Sequence, residues 1–360
     1  MVSVRLRMRR FFKNSKSGIL VLANTTTLDP NFIYFTCFAN GLCEGNFLVV
    51  KRDRLKLFTT ELEYDTVMAQ RPIEMDIIKT DTKQELVNKL RNEVKGENVK
   101  LNYGFLPIRY YNFLKKVVKI RKTIDATDSL TATRVVKGSD EIKAISAGAR
   151  IVGYALSKIM RFAREGMTEK QLAAIFNNMM ISRGARAPAF KTIVSFGRNS
   201  AFPHHFPDNT VLKRNDIVLI DAGAKCGNYC SDMTRTYIFK PDKRSAAYKR
   251  VAAMIRVVKN AQRNAISLMK EGTVGKEVHL SAEKTINEAN GGIYNGRFTH
   301  SVGHSIGIET HDGETLSRTS KLVLKRGMIF SCEPGIYLPG FGGVRVEDDV
   351  LVTESGNKVL

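Results

Sequence analysis

The sequence predicts an α+β protein of two domains. Its 360 residues exceed the usual extent of a single hydrophobic core. The first part alternates short β-rich runs with helical patterns, whereas the second contains two long amphipathic helical patterns about 106 residues apart. We therefore expect a mixed α/β domain over residues 1–128 and a second domain, built from two similar halves, over residues 129–360.

The predicted N-terminal domain begins with a sheet. Between residues 17 and 60, β-rich runs separated by turn residues predict meandering strands: G-I-L-V-L-A, N-F-I-Y-F-T, G-N-F-L-V-V and R-L-K-L-F-T-T. Helical spacing of apolar residues follows in T-K-Q-E-L-V-N-K-L-R-N-E-V and in R-Y-Y-N-F-L-K-K-V-V. The small, polar segment D-A-T-D-S-L-T-A-T is predicted to link the two domains.

Helix signals open each half of the second domain. A long helix is predicted with Ser139 as its N-cap and Gly166 as its C-terminal stop. Thr168 and Gln171 form a capping-box pair, which predicts a second helix start. The segments A-R-E-G-M-T-E-K-Q-L and M-K-E-G-T-V-G-K-E-V share this arrangement, so they indicate an internal duplication.

Strands are predicted between and after these helices. The run N-D-I-V-L-I-D-A-G-A and the later C-S-D-M-T-R-T-Y-I-F predict an antiparallel hairpin with its turn near Gly227 and Asn228. A last strand is predicted in G-G-V-R-V-E-D-D-V-L-V. Its alternation places Arg345, Glu347 and Asp349 on one face.

Composition narrows the class of protein. No apolar run approaches the roughly 20 residues that cross a bilayer, so we expect no membrane association. The first apolar run is too short for the core of a signal peptide. The 5 cysteines are unclustered, which favours reduced thiols and a cytoplasmic location.

The net charge of +22 raises the question of a nucleic-acid partner. Basic residues outnumber acidic ones by 23 to 14 up to Leu130 and by 34 to 21 after it. Because the excess is spread over both parts, we expect a generally basic surface and no dedicated nucleic-acid site.

Four carboxylates and one histidine point to a metal site. Asp221 ends the apolar strand I-V-L-I-D, and Asp232 lies on its hairpin partner. A buried carboxylate requires a hydrogen bond, an ion pair or a cation. Glu333 precedes a Pro-Gly turn, Glu347 lies on the last strand and His304 follows a glycine. This oxygen-rich set suits two divalent ions, Mn²⁺, Co²⁺ or Zn²⁺, bridged by a water.

The order of these motifs resembles a known ligand series. The run D-A-G-A-K-C-G-N-Y-C-S-D-M-T-R-T is followed by H-S-V-G-H-S-I-G-I-E-T-H, then C-E-P-G-I-Y and G-V-R-V-E-D-D. This series resembles that of the metallopeptidases with the pita-bread fold, and within them the Xaa-Pro peptidases, prolidase and aminopeptidase P. The resemblance implies a creatinase-type N-terminal domain followed by a pita-bread catalytic domain with internal pseudo-two-fold symmetry.

The resemblance also implies a dinuclear hydrolytic centre. Asp221 would bind one metal through both oxygens, and Asp232 and Glu347 would bridge the pair. His304 and Glu333 would complete the second metal site. The ions would be Mn²⁺ or Co²⁺, with Zn²⁺ as an alternative. A bridging hydroxide would attack the scissile carbonyl while Glu333 shuttles a proton.

Further residues match family positions that face the substrate. The histidines implied to hold substrate and stabilise the tetrahedral intermediate are His204, His300 and His311. The residues implied to support or bind substrate are Arg345, Tyr337 and Arg318, of which the last would recognise a substrate carboxylate. His205 and His279 match no family position, and we predict structural or surface roles for them.

The implied function is hydrolysis of the bond before proline in di- or oligopeptides by a cytoplasmic homodimer. The residues do not distinguish a dipeptidase from an aminopeptidase. A second hypothesis is a non-catalytic binding protein on the same scaffold, whose basic surface binds nucleic acid or a protein partner. A third is a metal-free enzyme of the creatinase type. The complete ligand series counts against both alternatives.

Overall fold

Residues 4–15, 18–25, 28–39, 41, 43–71 and 75–360 are described by the computed structural model of the protein. The chain divides into two units, Met1–Arg134 and Val135–Leu360. This division lies six residues after the boundary at residue 128 that the sequence predicts (134 − 128 = 6). The domain bounds 1–128 and 129–360 remain a prediction.

A mixed six-stranded sheet forms the first unit. Its strands are β1 (Ile19–Ala23), β2 (Phe47–Val50), β3 (Leu55–Thr60), β4 (Met75–Thr80), β5 (Asn98–Leu101) and β6 (Lys122–Asp125). They lie in the order β4-β3-β2-β1-β5-β6. β2 pairs antiparallel with both β1 and β3, whereas the β3–β4, β1–β5 and β5–β6 pairs are parallel. The predicted strands in three of the four early runs are therefore confirmed.

Helices accompany this sheet. They are α1 (Val4–Asn14), α2 (Pro30–Thr36), α3 (Glu61–Gln70), α4 (Lys83–Val94), α5 (Ile108–Asn112), which continues as a π-helical turn (Phe113–Val117), and α6 (Thr127–Arg134). The strand predicted in N-F-I-Y-F-T is wrong, because this segment is α2. Pro30 occupies its first turn, and the side chain of Asp29 accepts a hydrogen bond from the Asn31 N–H.

The predicted linker is also wrong, because D-A-T-D-S-L-T-A-T contains α6. The Asp125 carboxylate accepts a hydrogen bond from the Thr127 N–H at 2.9 Å, which stabilises the helix start. Leu130 and Thr133 are buried. Local polarity therefore concealed a helix with one packed face.

Four long helices frame the second unit. They are α7 (Ser139–Ile159), α8 (Glu169–Ser182), α9 (Ala246–Leu268) and α10 (Gly275–Glu288). The predicted N-cap of α7 is one residue late, because Gly138 caps the helix and its N–H donates to the Glu141 carboxylate. α7 also ends before Gly166. The capping box of Thr168 and Gln171 is confirmed.

The strands of the second unit are short. They are β7 (Ala187–Pro188), β8 (Ile193–Phe196), β9 (Ile217–Ala222), β10 (Ala224–Cys226), β11 (Tyr229–Cys230), β12 (Met233–Ile238), β13 (Gly303–His304), β14 (Thr315–Leu316), β15 (Ile329–Cys332), β16 (Gly335–Leu338), β17 (Gly342–Arg345), β18 (Asp348–Val352) and β19 (Asn357–Val359). The predicted hairpin is confirmed: β9 pairs with β12, and β10 with β11 across Gly227. The last predicted strand is split into β17 and β18.

The internal duplication is visible in how α8 and α10 begin. The N–H of Gly166 donates to the Leu212 carbonyl, and the N–H of Gly272 donates in the same way to the Leu324 carbonyl. Both glycines have positive φ, which favours residues without a side chain. Each half has its own apolar core, one under α7 and α8 and the other under α9 and α10. Among the described residues, no helix combines the length and apolar character needed to cross a bilayer.

Candidate metal centre and active-site cleft

The β9–β12 hairpin places two of the predicted ligands. Asp221 lies near the end of β9 opposite Thr234, and Asp232 immediately precedes β12. Both carboxylates are buried. The Asp232 N–H donates to the Asp349 carboxylate at 2.9 Å, which fixes the backbone at this point.

β13 and β15 bring a histidine and a third carboxylate to the same place. Gly303 allows this approach, because a Cβ there would lie 1.9 Å from the Ser331 carbonyl oxygen. The next residue, His304, directs Nε2 to within 3.3 Å of the Glu333 Oε1 and 3.7 Å of the Asp232 Oδ2. The Ser331 hydroxyl accepts from the His304 N–H and donates to Glu333, so it aligns both residues.

Glu347 completes the cluster from the break between β17 and β18. It is 1% exposed, and its Oε2 accepts a hydrogen bond from the Thr234 hydroxyl at 2.6 Å. One ligand atom each from Asp232, His304 and Glu347 lie within 4.8 Å of one another. The structure therefore brings together the five residues that the sequence predicts as ligands.

The chemistry of this cluster fits a bound cation. Among the described residues, the buried Asp221 Oδ1, Asp232 Oδ1 and Glu347 Oε1 have no hydrogen-bond partner. Buried carboxylate oxygens are rarely left so, because an uncompensated buried charge costs several kcal/mol. A divalent ion compensates that charge and uses these same oxygens as ligands.

The pKa values report the same crowding of negative charge. Burial, followed by the neighbouring Glu347 carboxylate, raises the pKa of Asp232 well above its ordinary value. Burial and the nearby Glu333 and Asp221 do the same to the pKa of Glu347. Burial raises the pKa of Glu333 to about 7. Burial also lowers the pKa of His304 to about 3, so the imidazole is neutral, the form that binds metals.

Arg345 supports this centre from behind. Its guanidinium donates through Nη2 to Asp221 at 2.6 Å, through Nη1 to the Tyr337 hydroxyl at 2.8 Å and through Nε to Thr234 at 3.1 Å. Only 2% of the residue is exposed. Arg345 therefore orients a ligand. With so little accessible surface, it is poorly placed for the direct substrate contact that the resemblance implies.

His300 and Tyr337 extend the hydrogen bonding away from Arg345. The His300 Nδ1 donates to its neighbouring Ser301 carbonyl at 2.8 Å, and Nε2 accepts from the Tyr337 hydroxyl at 2.8 Å. Burial lowers the pKa of His300 to about 3, consistent with this neutral form. Both nitrogens of His300 are thus engaged by protein atoms.

An open cleft of about 450 Å³ lies over the ligands. His204 and His311 line it together with the ligand cluster, and both are exposed. The rings of His304 and His311 contact each other with centroids 3.9 Å apart and their planes tilted by 35°. Burial, followed by the nearby His204, lowers the pKa of His311. The cleft is within the usual size range of small-ligand sites.

Some predicted residues lie elsewhere. Arg318 is absent from the described lining of the cleft, and its exposed guanidinium pairs with Glu283. His279 is buried and its ring stacks on Phe298. His205 bonds to the fully buried Glu169 at 2.7 Å. The prediction of structural roles for His205 and His279 agrees with these contacts.

A second group of potential ligands, Glu169, His205 and Asp208, does not fit a metal site. Both Glu169 oxygens already accept hydrogen bonds, one from the Phe196 N–H and the Asn199 amide, the other from His205 and the Asp208 N–H. This carboxylate is therefore saturated by donors and links α8 to the loop before β9.

Sequence reasoning missed several residues of the site. Thr234, two residues after Asp232, bonds to Glu347; the period of two along a strand could have indicated it. Lys137 and Asp312 form a fully buried ion pair of 3.4 Å beneath the loop that carries His311. No local signal predicts this contact. Lys191 and the aromatic residues of the cleft lining were likewise missed.

Comparison with known proteins identifies the family. The signature described as metallopeptidase family M24 matches residues 143–354 of this chain. The chain belongs to metallopeptidase family M24. The Xaa-Pro dipeptidase of Pyrococcus furiosus is 35% identical over 318 residues, which cover 88% of this chain and 87% of the relative. That of Pyrococcus horikoshii is 32% identical over 352 residues, covering 97% and 93%.

Solved structures of M24 relatives support the same assignment. The prolidase of Pyrococcus horikoshii superposes with a TM-score of 0.86 at 29% identity, covering 99% of this chain and 97% of that one. The X-Pro aminopeptidase of Thermotoga maritima superposes with a TM-score of 0.87 at 28% identity, covering 97% of each. These matches confirm the predicted family, the pita-bread fold and the class of metallopeptidase.

Proposed function

We propose that the protein is a dinuclear metal-dependent peptidase that hydrolyses the bond preceding proline. One observation carries this proposal: five residues from separate strands and turns converge at one end of the cleft, where Asp232, His304 and Glu347 offer ligand atoms within 4.8 Å. The similarity to named Xaa-Pro dipeptidases supports the choice of substrate.

The five residues divide between two metal positions. In the proposal, Asp221 would hold one ion, His304 and Glu333 would hold the other, and Asp232 and Glu347 would contribute to both. The unpartnered oxygens of Asp221, Asp232 and Glu347 support this division. Two divalent ions, Mn²⁺ or Co²⁺ first and Zn²⁺ as an alternative, would lower the pKa of a shared water and polarise the scissile carbonyl.

Residues of the chain itself handle protons and the developing negative charge. Glu333 faces the cleft beside His304 and is proposed to accept a proton and return it to the proline nitrogen when the bond breaks. His204 and His311 are exposed in the cleft and are proposed to donate to the carbonyl oxygen as it gains charge.

The role of His300 in this proposal is indirect. Because Ser301 and Tyr337 occupy its two nitrogens, His300 holds the Tyr337 hydroxyl in place rather than donating to substrate. Tyr337 in turn accepts from Arg345, which orients Asp221. These three side chains are proposed as a support for the first metal position.

The cleft lining is compatible with proline. Phe190, Ile193 and Phe206 line it together with its polar residues, and they offer an apolar surface to the proline ring. The chemistry of the metal centre does not distinguish dipeptides from longer peptides.

The cellular setting is also a proposal. All 5 cysteines are free, which is usual in a reducing cytoplasm. A homodimer is expected from the family resemblance. The binding-protein alternative is not favoured, since the ligand cluster is complete.

The proposal is tested with chelated protein, that is, protein from which metal has been removed with a chelator. Its hydrolysis of Ala-Pro and Ala-Ala is measured before and after addition of Mn²⁺ or Co²⁺. We expect metal-dependent cleavage of Ala-Pro and little of Ala-Ala. Asp232→Asn should abolish activity, whereas Asp208→Asn, which alters an exposed carboxylate outside the cleft, should retain it. Absence of Ala-Pro hydrolysis with either metal would overturn the proposal.

A further inference from the structure

The cleft contains a positively charged side chain that the proposed mechanism does not use. Lys191 lines the cleft, is exposed and has no carboxylate partner among the described residues. We propose that Lys191 binds the free C-terminal carboxylate of the substrate and thereby favours Xaa-Pro dipeptides over longer peptides. This inference rests on the proposed function, because it concerns the proline side of the same bond.

The other positively charged residue of the cleft lining is already engaged, which leaves Lys191 available for this role. Among the described lining residues, the Lys and Arg side chains are Lys191 and Arg345. Arg345 is buried and hydrogen-bonded to Asp221, Tyr337 and Thr234. A substrate anion that enters the cleft therefore meets the ammonium of Lys191 as its accessible fixed cation.

Strand register directs Lys191 towards the metal end. β8 begins two residues later at Ile193, which pairs directly with Asp221. Lys191 and Ile193 both line the cleft. The intervening Thr192 is buried and its hydroxyl donates to Asn177 at 2.6 Å, away from the cleft. This alternation fixes the face on which Lys191 emerges.

An aromatic ring holds the ammonium of Lys191 in the cleft. The Nζ of Lys191 lies 4.1 Å from the centroid of the Phe206 ring, and Phe206 itself lines the cleft. A cation over an aromatic face is attracted to it but keeps its remaining N–H donors free. The ammonium is therefore held in position without being neutralised.

The dimensions of a dipeptide suit this arrangement. In Xaa-Pro, three bonds separate the scissile carbonyl carbon from the carboxylate carbon, a path of about 4 Å. The flexible four-carbon stem of lysine allows the ammonium to follow a carboxylate bound in the same cleft. In a longer peptide a neutral amide replaces the carboxylate, so the attraction between the two opposite charges is lost.

Steady-state hydrolysis of Ala-Pro and of its amide, Ala-Pro-NH₂, by Mn²⁺-loaded enzyme tests the proposal. The wild-type protein should prefer Ala-Pro by about tenfold in kcat/KM, the effect of one charge-assisted hydrogen bond at a partly exposed site. Lys191→Met should remove this preference by raising KM for Ala-Pro about tenfold, with the amide unaffected. Lys191→Arg should retain much of it.

Two controls separate this role from a structural one. Lys158 also lies over an aromatic ring, 5.9 Å from the centroid of Tyr154, but outside the described cleft lining. Lys158→Met should leave both substrates unchanged. Raising the ionic strength should increase KM for Ala-Pro in the wild type and much less in Lys191→Met, because salt screens the carboxylate–ammonium attraction.

The outcomes distinguish this proposal from the function on which it rests. If wild-type enzyme hydrolyses Ala-Pro and Ala-Pro-NH₂ equally well, the role of Lys191 is overturned and the peptidase function stands. Equal losses on both substrates in Lys191→Met would also overturn it, since they indicate a structural contribution. If metal-loaded wild-type enzyme hydrolyses neither peptide, the proposed function fails and this inference fails with it.

Discussion

Replacement of Arg345 by lysine should weaken metal binding although no ligand is altered. The guanidinium donates to Asp221, Tyr337 and Thr234 at 2.6, 2.8 and 3.1 Å. Lysine keeps the charge, but its single ammonium cannot reproduce the planar fork that serves three acceptors in different directions. Arg345→Lys therefore leaves Asp221 poorly oriented.

The expected magnitudes follow from these contacts. Loss of two buried, charge-assisted hydrogen bonds should lower the free energy of unfolding of chelated protein by about 3 kcal/mol. In a unit of this size that corresponds to a fall in Tm of roughly 6–12 °C. Disturbing a residue that orients a metal ligand typically reduces metal affinity by about 10–100-fold.

Calorimetric titration of chelated protein with Mn²⁺ measures the affinity, and thermal unfolding of the same sample measures the stability. Arg326→Lys provides the control, because Arg326 pairs with Glu354 on the surface, where both side chains are more than two-thirds exposed at 69% and 77%. It should change neither quantity appreciably. Unchanged Mn²⁺ affinity in a folded Arg345→Lys variant would refute the orienting role.

Three further predictions concern other parts of the site. His304→Ala should lose metal measured by calorimetry, whereas His311→Ala should keep it and lose kcat; metal loss in both would contradict their different roles. Asp312→Asn removes the charge partner of Lys137 from a pair whose side chains are at most 1% exposed, so the free energy of unfolding should fall by about 3 kcal/mol in denaturant titrations; a stable variant would show that the pair is dispensable. Burial raises the pKa of Glu333 to about 7, so chelated folded protein holds a proton that the unfolded chain releases, and stability should fall as pH rises from about 4.5 through 7; Mn²⁺ should flatten this dependence, and a rise in the stability of chelated protein over that range would contradict it.

The parts of the fold that sequence predicts are those with local signals. The capping box of Thr168 and Gln171, the turn at Gly227 and the amphipathic helices all form as expected, because each depends on neighbouring residues. α2 was mistaken for a strand because all seven of its residues are buried, so no polar face reveals its period. α1 was missed although Val4, Met8 and Phe11 recur at helical spacing.

The metal ligands could be predicted because their motifs occur in a specific order, which the structure then brings to one place. Contacts between distant segments carry no comparable signal. The pairing of Lys137 with Asp312 joins residues 175 positions apart (312 − 137 = 175), and no local pattern reveals that Lys191 lines the same cleft as Asp221. Arg318 was assigned from its approximate spacing to Glu333. Spacing along the chain does not fix position in the fold, and Arg318 lies outside the described cleft lining.

The most direct test of the central claim, that the carboxylate cluster is a two-metal hydrolytic centre, relates activity to metal content. Chelated protein is titrated with Mn²⁺ while bound metal and Ala-Pro hydrolysis are measured on the same samples. We expect negligible hydrolysis without metal and full activity at two ions per chain. Full activity in chelated protein, or two bound ions per chain without hydrolysis, would contradict the claim.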